Sequence, residues 1–522
     1  MIRGAFRRLS GREMLRGPLG RNTGDTPLLS VVEKSRLRIS KATESRKKSK
    51  LGQFFTPARI AQFMAGLFVQ TTGYNCRLLD AGAGIGSLSA AFLERLISGD
   101  FDFKRVEIDA FEIDKTLLPD LTRTIEGYKK HADVGLTIRN DDFILAAVDS
   151  LCGNLFVKAL PKYTHAILNP PYKKIRSNST HRAALRQVGI ETVNLYSAFV
   201  ALSLALLEDR GQLVAIIPRS FCNGPYYHPF RKFILQRAAL RHIHLFVSRK
   251  KAFEDDDVLQ ENVIIMLERG GQQGDVEITT STDDSFTGMQ TFIHPFHSIV
   301  FPDDSHHFIH VPTSLEKNAI ELSDSIRYSL DDIGIMVSTG PVVDFRLKEH
   351  LQEMPDAGTV PLLYPGHLSS QTLDWPKSGF NKPNAIKRNS KTEKWLYPNG
   401  FYCIVRRFSS KEEKRRIVAG VVNPDSFPDT EMLGFENHLN VFHEGKRGLP
   451  KSLVYGLATF LNTTAVDENF RRFNGHTQVN ATDLRLIKYP SRSALIGMGE
   501  WAIHCGKLTQ ALIDEQLKSL DA

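Results

Sequence analysis

Between residues 76 and 268, short apolar runs alternate with longer helical stretches, and few folds accommodate that rhythm. The strand-like runs fall at 76–80, 106–113, 136–139, 163–168, 211–218, 240–247 and 262–268, and helical stretches at 87–98, 115–130, 192–208 and 226–239 lie between most of them. Strand followed by helix, repeated, implies a parallel α/β sheet with helices on both faces. Right-handed crossovers then bring the C-terminal strand ends to one edge, where ligands bind. One more helix is expected over 57–70, with Thr56 as N-cap and Pro57 in the first helical position. At 522 residues the chain exceeds one ordinary domain. The rhythm stops at Gly270-Gly271-Gln272-Gln273-Gly274, which reads as a turn or linker, so residues 51–270 form one expected domain and 271–522 another. The second mixes short strands, Pro/Gly loops and a few helices, clearest at 452–462 and 506–518, and reads as irregular α+β.

The net charge of +9 is unevenly placed. Residues 1–50 hold 14 Lys/Arg against 4 Asp/Glu, whereas 51–290 hold 27 against 27 and 291–522 hold 26 against 27. Basicity therefore belongs to residues 1–50, read as a flexible arm that is either a solvated tail or a phosphate-binding segment. No run of about 18 apolar residues is present, which argues against a transmembrane helix. The Arg-rich start lacks the apolar stretch of a secretory signal. Five cysteines with no C-x-x-C pair argue for a reducing compartment and against a zinc site or a disulfide frame.

Leu78-Leu79-Asp80-Ala81-Gly82-Ala83-Gly84-Ile85-Gly86-Ser87 reads as a strand, a glycine turn and a helix start. Glycine permits the sharp turn and the close approach of a ligand, and the helix start offers unsatisfied N–H groups. The spacing is not that of the strict dinucleotide fingerprint, because the glycines stand at 82, 84 and 86. Glu112 follows the next strand, where a carboxylate can accept from both hydroxyls of a ribose. A nucleoside-bearing cofactor is expected here.

Asn169-Pro170-Pro171-Tyr172 follows another strand. Two prolines fix the backbone and remove two donors, which leaves carbonyls as acceptors. The Asn169 side-chain oxygen adds another. With the Pro170 carbonyl it can hold an exocyclic amino group and aim the nitrogen lone pair at an electrophilic carbon, while Tyr172 offers a face to a planar base.

The order of these motifs resembles the S-adenosylmethionine-dependent DNA amino-methyltransferases of the gamma type, and within them the modification methylases of the PstI/BsuBI kind. Gly52-Gln53-Phe54-Phe55-Thr56-Pro57, Asp80 to Gly86, Glu112, Asn140-Asp141-Asp142-Phe143, Asn169 to Tyr172 and Ala252-Phe253 occupy the family's motif positions in order. The resemblance implies a Rossmann-like catalytic sheet followed by an α+β DNA-recognition domain. It implies that Thr56 and Asp80 contact the methionine end of the cofactor, with Gly82, Gly84 and Gly86 forming its loop. Glu112 would bind the ribose, and Asp142 and Phe143 the adenine. Asn169, Pro170, Pro171 and Tyr172 would perform the transfer, with Phe253 stacking on the extruded base. No metal is needed; the acidic run 254–257 reads as a solvated loop. The implied substrate is adenine N6 in double-stranded DNA, in a six-base palindrome such as CTGCAG. The implied setting is a monomer at the bacterial nucleoid in the cytoplasm, with a cognate restriction endonuclease acting separately.

The alternatives are cytosine N4, RNA or protein as methyl acceptor, a bifunctional enzyme with nuclease activity, and a non-catalytic DNA-binding module. Pro424-Asp425 with Glu444-Gly445-Lys446 formally fits the nuclease pattern P-D…E-x-K. In the second domain Gly434–His438 and Asn474–Asn480 resemble the family's recognition regions. Arg406-Arg407-Phe408, Lys414-Arg415-Arg416 and Arg471-Arg472-Phe473 are candidate DNA contacts, each also readable as a solvated face.

Overall fold

The computed structural model describes residues 27–42, 55–71, 73–154, 156, 158–246, 261–302, 304–313, 318–369, 372–409, 413–474 and 478–521. The chain divides into two compact units, 1–313 and 314–522.

The first unit is built on nine strands: β1 (Asn75–Ala81), β2 (Arg105–Phe111), β3 (Val134–Arg139), β4 (Tyr163–Leu168), β5 (Leu207–Pro218), β6 (Ala238–Phe246), β7 (Asn262–Arg269), β8 (Val276–Ser281) and β9 (Gln290–His294). They lie in the order β3-β2-β1-β4-β5-β7-β6-β8-β9. β1 to β5 are mutually parallel, and β7 runs antiparallel between β5 and β6. The winding starts at β1 and leaves toward β2 on one side and β4 on the other. The carboxyl ends of β1 and β4 therefore flank a topological switch point, the place where such sheets hold ligands.

Helices α1 (Pro27–Ala42), α2 (Ala58–Gly66), α3 (Ser87–Ile97), α4 (Leu118–Tyr128), α5 (Phe143–Leu151), α6 (Thr180–Gln187), α7 (Leu195–Leu206) and α8 (His228–Arg237) complete this unit's layers. Two apolar clusters cover the two faces of the sheet, and β5 divides its side chains between them. Leu213, Ala215 and Ile217 join α5, α7 and α8; Val214 and Ile216 join α1 to α4. A strand segment buried on both faces is apolar on both, which is why the second half of β5, Leu213 to Pro218, reads as a continuous apolar run.

The glycine turn after Gly270 lies inside this sheet. β8 pairs parallel with β6 and β9 pairs with β8, so the compact unit runs on to residue 313. The basic N-terminal segment is also not arm-like throughout. Residues 27–42 form α1, which buries Leu29, Val32 and Arg36 against α2, α3 and α4. The N-cap of α2 is Pro57, not Thr56, and its first amide (Ala58) donates to Glu33 Oε2 of α1 at 3.1 Å. α5 and α6 were not anticipated by the periodicity.

The second unit is α+β. Strands Met336–Thr339, Leu439–His443, Tyr402–Arg406 and Ala419–Val422 form one sheet, and a second five-stranded sheet contains Thr359–Leu363 and Met432–Phe435. Helices Lys451–Leu461 and Arg492–His504 cross with backbones in contact: a Cβ on Gly456 would lie 1.8 Å from the Leu495 carbonyl oxygen. Only glycine permits that approach.

Candidate active site

The loop after β1 is strapped to the end of β2. Gly82 N and Ala83 N both donate to the Phe111 carbonyl at 2.9 Å, and Gly84 N donates to Glu112 Oε2 at 2.9 Å. Glu112 Oε1 accepts from Asp114 N at 2.7 Å. Burial raises the Glu112 carboxyl above its ordinary range, opposed by those amides from Asp114 and Gly84. The two amides fix its carboxylate at the rim of the loop.

The loop, Glu112, the start of α5 and the end of β4 surround a cavity of about 210 Å³. Gly82, Gly84, Glu112, Asp142, Phe143, Asn169 and Pro171 all line it, so motifs spread over 90 residues of sequence meet in one place. Gly82 and Gly84 have φ of +84° and +57°. A Cβ on Gly82 would stand 3.8 Å from the Asn169 carbonyl oxygen and 3.9 Å from the Phe199 ring; one on Gly84 would lie 3.5 Å from Phe55. These glycines keep the cavity open. Its lining suits a nucleoside: aromatic walls from Phe55, Phe111, Phe143 and Phe199, and a held carboxylate able to accept from hydroxyl groups. S-adenosylmethionine fits this donor and acceptor set.

Asn169 sits just beyond β4. Its Nδ2 donates to Thr56 Oγ1 at 2.9 Å, and its Oδ1 accepts from the Tyr172 hydroxyl at 3.1 Å. Tyr172 also reaches the Ile216 carbonyl at 3.0 Å, and burial drives its phenol far above the usual range. Thr56, in the turn leading into α2, and Tyr172, itself held to β5, thus set the rotation of one amide. The Tyr172 ring is half-buried and meets Tyr196 edge-on at 6.2 Å.

Several residues expected to touch the cofactor stand behind the cavity wall. Asp80 is fully buried; Oδ2 accepts from Ser89 Oγ at 2.6 Å and Oδ1 has no partner. Burial pushes its carboxyl up to about 7. Gly86 does not line the cavity. It precedes α3 with φ +85°, and a Cβ there would lie 2.9 Å from Leu121 of α4, so its need for glycine is one of packing. Thr56 is buried and spends its hydroxyl on Asn169. Pro170 is buried, beside Pro171 at the cavity. Phe253 and the acidic run 254–257 lie outside the described residues.

His181, on α6, carries no motif that marks it in the sequence; it donates from Nε2 to Asp142 Oδ2 at 2.7 Å and lines the cavity. Asp142 Oδ1 meanwhile caps α5 by accepting from Ile144 N and Leu145 N. Burial alone would raise the Asp142 carboxyl; His181 and the cap amides hold it below its usual range, and the Asp142 hydrogen bond raises His181. A contact across 39 residues has no signature in spacing.

In the second unit most arginines of the basic clusters are paired within the unit, although only Arg416 is buried. Arg416 is 1% exposed and holds Ser409 and Asn474, while Arg415 donates to the Thr463 carbonyl and to Gln510. Arg471 pairs with Asp467, and Arg406 with Glu413. Asp425 lies in a short turn capped by Asn423, and Glu444 closes a hairpin with Arg447. Among the described residues no group of three or more His, Cys, Asp or Glu is arranged to hold a metal, and no helix is long and apolar enough to cross a membrane.

Residues 87–253 match the Eco57I restriction-modification methylase family. The chain is 54% identical over 498 residues to the type II methyltransferase M.BsuBI of Bacillus subtilis, covering 95% of this chain and 98% of that one. It is 42% identical over 492 residues to the type II methyltransferase M.PstI of Providencia stuartii, covering 93% and 96%. Among solved structures, a DrdV–DNA complex superposes with a TM-score of 0.52 at 12% identity, over 91% of this chain and 59% of that one, a likeness of fold.

Proposed function

The chain belongs to the type II DNA methyltransferases of restriction-modification systems, with S-adenosylmethionine as cofactor, and on that premise we propose that it methylates adenine N6 in a short duplex DNA site. The cofactor supplies an electrophilic methyl group on a sulfonium centre. Glu112 binds its ribose, Gly82 and Gly84 admit it, and Phe143 with the neighbouring aromatic walls holds its adenine.

Gly82, Gly84 and Glu112 line the same cavity as Asn169, which supports a shared site for cofactor and methyl acceptor. The target amino group lies inside the duplex and has to be extruded, at a cost of a few kcal/mol offset by stacking in the pocket. Asn169 Oδ1 and the Pro170 carbonyl accept hydrogen bonds from N6 and turn its lone pair toward the methyl group. Thr56 and Tyr172 hold the Asn169 amide in the orientation this requires. Catalysis is then positioning and exclusion of water. Tyr172 supplies one aromatic face for the base and Phe253 the other. The Asn-Pro-Pro-Tyr form is the ground for adenine N6 over cytosine N4.

The second unit reads the DNA site. The enzyme works as a monomer on each strand in turn, at the bacterial nucleoid in the cytoplasm, with a separate endonuclease as its counterpart. Single-molecule, methylation-sensitive sequencing of DNA from a methylation-free host expressing the chain tests this reading. One fully modified adenine motif is expected, with CTGCAG the first candidate; modified cytosine, or unmodified DNA from a folded chain that binds S-adenosylmethionine, would refute it.

A further inference from the structure

Three segments far apart in the second unit's sequence meet at its surface. Arg407 N donates to the His438 carbonyl at 2.8 Å, and the Arg407 guanidinium donates to the Asn437 carbonyl at 3.1 Å and to Gln478 Oε1 at 3.4 Å. Phe408 forms a bridge with Gln478 and stacks obliquely on the His438 ring, with centroids 4.8 Å apart. Beneath them Glu436 is fully buried, and its carboxylate accepts both the His438 amide at 2.9 Å and His438 Nδ1 at 2.6 Å.

Burying a carboxylate is costly unless it is well paired, and Glu436 lies under a histidine that is itself 40% exposed. This arrangement contributes little to a core. Its effect is to lock the imidazole: Nδ1 is committed inward, so Nε2 is the atom presented outward. Phe408, 44% exposed, lies against the ring, and the Arg407 charge lies 6.0 Å from the Phe408 centroid. A contact to phosphate needs charge and tolerates loose geometry, whereas reading a base edge needs a hydrogen-bonding atom held at a fixed angle. The locked imidazole suits the second task.

We propose that His438, backed by Phe408 and held by Glu436, reads a base edge of the DNA site, with Arg407 and Gln478 fixing the segment that carries it. Glu436 acts as a positioning residue through His438. This inference rests on the reading of the chain as a DNA methyltransferase whose second unit recognises the site.

The test compares the methylated motif of the wild type with those of His438→Ala, Phe408→Ala and Glu436→Gln, each expressed in a methylation-free host and sequenced for modified bases. Calorimetric binding of S-adenosylmethionine to each purified variant establishes that the catalytic unit is intact. The expected result is a motif that becomes degenerate at one position in His438→Ala, with discrimination there reduced about ten- to a hundred-fold. Glu436→Gln shows a milder relaxation at the same position. Variants that keep the wild-type motif and rate overturn the proposal. So does a loss of methylation uniform across sequences with a salt dependence of DNA binding shallower by about one, the mark of a phosphate contact. A wild type that modifies no DNA motif refutes the underlying reading instead, so the two failures are distinguishable.

Discussion

Asn169 Nδ2 lies 2.9 Å from Thr56 Oγ1, a hydrogen bond across 113 residues that ties the Asn-Pro-Pro-Tyr motif to the turn leading into α2. The residue expected as a helix cap instead holds the Asn169 amide. Thr56→Val keeps the shape and removes the acceptor. A lost hydrogen bond of about 1–2 kcal/mol at the reacting group corresponds to a kcat roughly five- to thirty-fold lower. Steady-state kinetics with S-adenosylmethionine binding measured alongside check this: kcat falls while cofactor affinity stays near wild type. A drop in affinity alone would assign Thr56 to the methionine end of the cofactor.

Glu112 is held by two backbone amides at the cavity, where it is proposed to bind the cofactor ribose. Glu112→Ala removes hydrogen bonds to a charged acceptor, worth about 1.5–3 kcal/mol. The S-adenosylmethionine dissociation constant, measured by calorimetry, is expected to rise about ten- to a hundred-fold. An unchanged constant contradicts the assignment.

Gly82 and Gly86 look equivalent in the sequence and are not equivalent in the fold. Gly82→Ala puts a methyl beside Asn169 and Phe199 in the cavity, whereas Gly86→Ala drives one against Leu121. Both strain a positive φ. Gly82→Ala is expected to weaken cofactor binding by more than ten-fold, and Gly86→Ala mainly to lower Tm. Equal effects on binding would place Gly86 at the cofactor after all.

Asp80 makes stability depend on pH. Its buried carboxyl keeps a proton up to about pH 7, whereas in the unfolded chain it loses it near pH 4. Between those values the folded state binds more protons, so stability falls as pH rises through that window, by at most about 4 kcal/mol. Asp80→Asn keeps an acceptor for Ser89 and does not titrate. Melting curves from pH 4 to 8 are expected to show the wild type losing stability relative to Asp80→Asn; parallel curves contradict this.

The catalytic unit was legible because its signals are local. A glycine turn after an apolar run, or a proline pair after another, carries its geometry within ten residues. Contacts made across the fold were not. Glu33 caps α2 from α1 and is gripped by Arg36 at 2.7 Å, yet residues 27–42 read as part of a basic tail, because charge counts do not show which charges are spent inside. His181 on Asp142 went unseen for the same reason. In the second unit, Lys414-Arg415-Arg416 read as a DNA contact or a solvated face, whereas Arg416 is a buried strut among Ser409, Asn474 and Asp467. The surface that does gather exposed aromatic and polar groups, around Phe408 and His438, was present only as separate fragments.

The Asn169 to Tyr172 segment is proposed to transfer a methyl group to adenine N6. Incubating unmethylated duplex DNA with S-adenosylmethionine and the purified chain, then digesting to nucleosides for mass spectrometry, tests it directly. N6-methyldeoxyadenosine is expected with the wild type and is reduced at least a hundred-fold with Asn169→Ala, which still binds the cofactor. N4-methyldeoxycytidine in its place, or equal product from Asn169→Ala, would rule out this role for the segment.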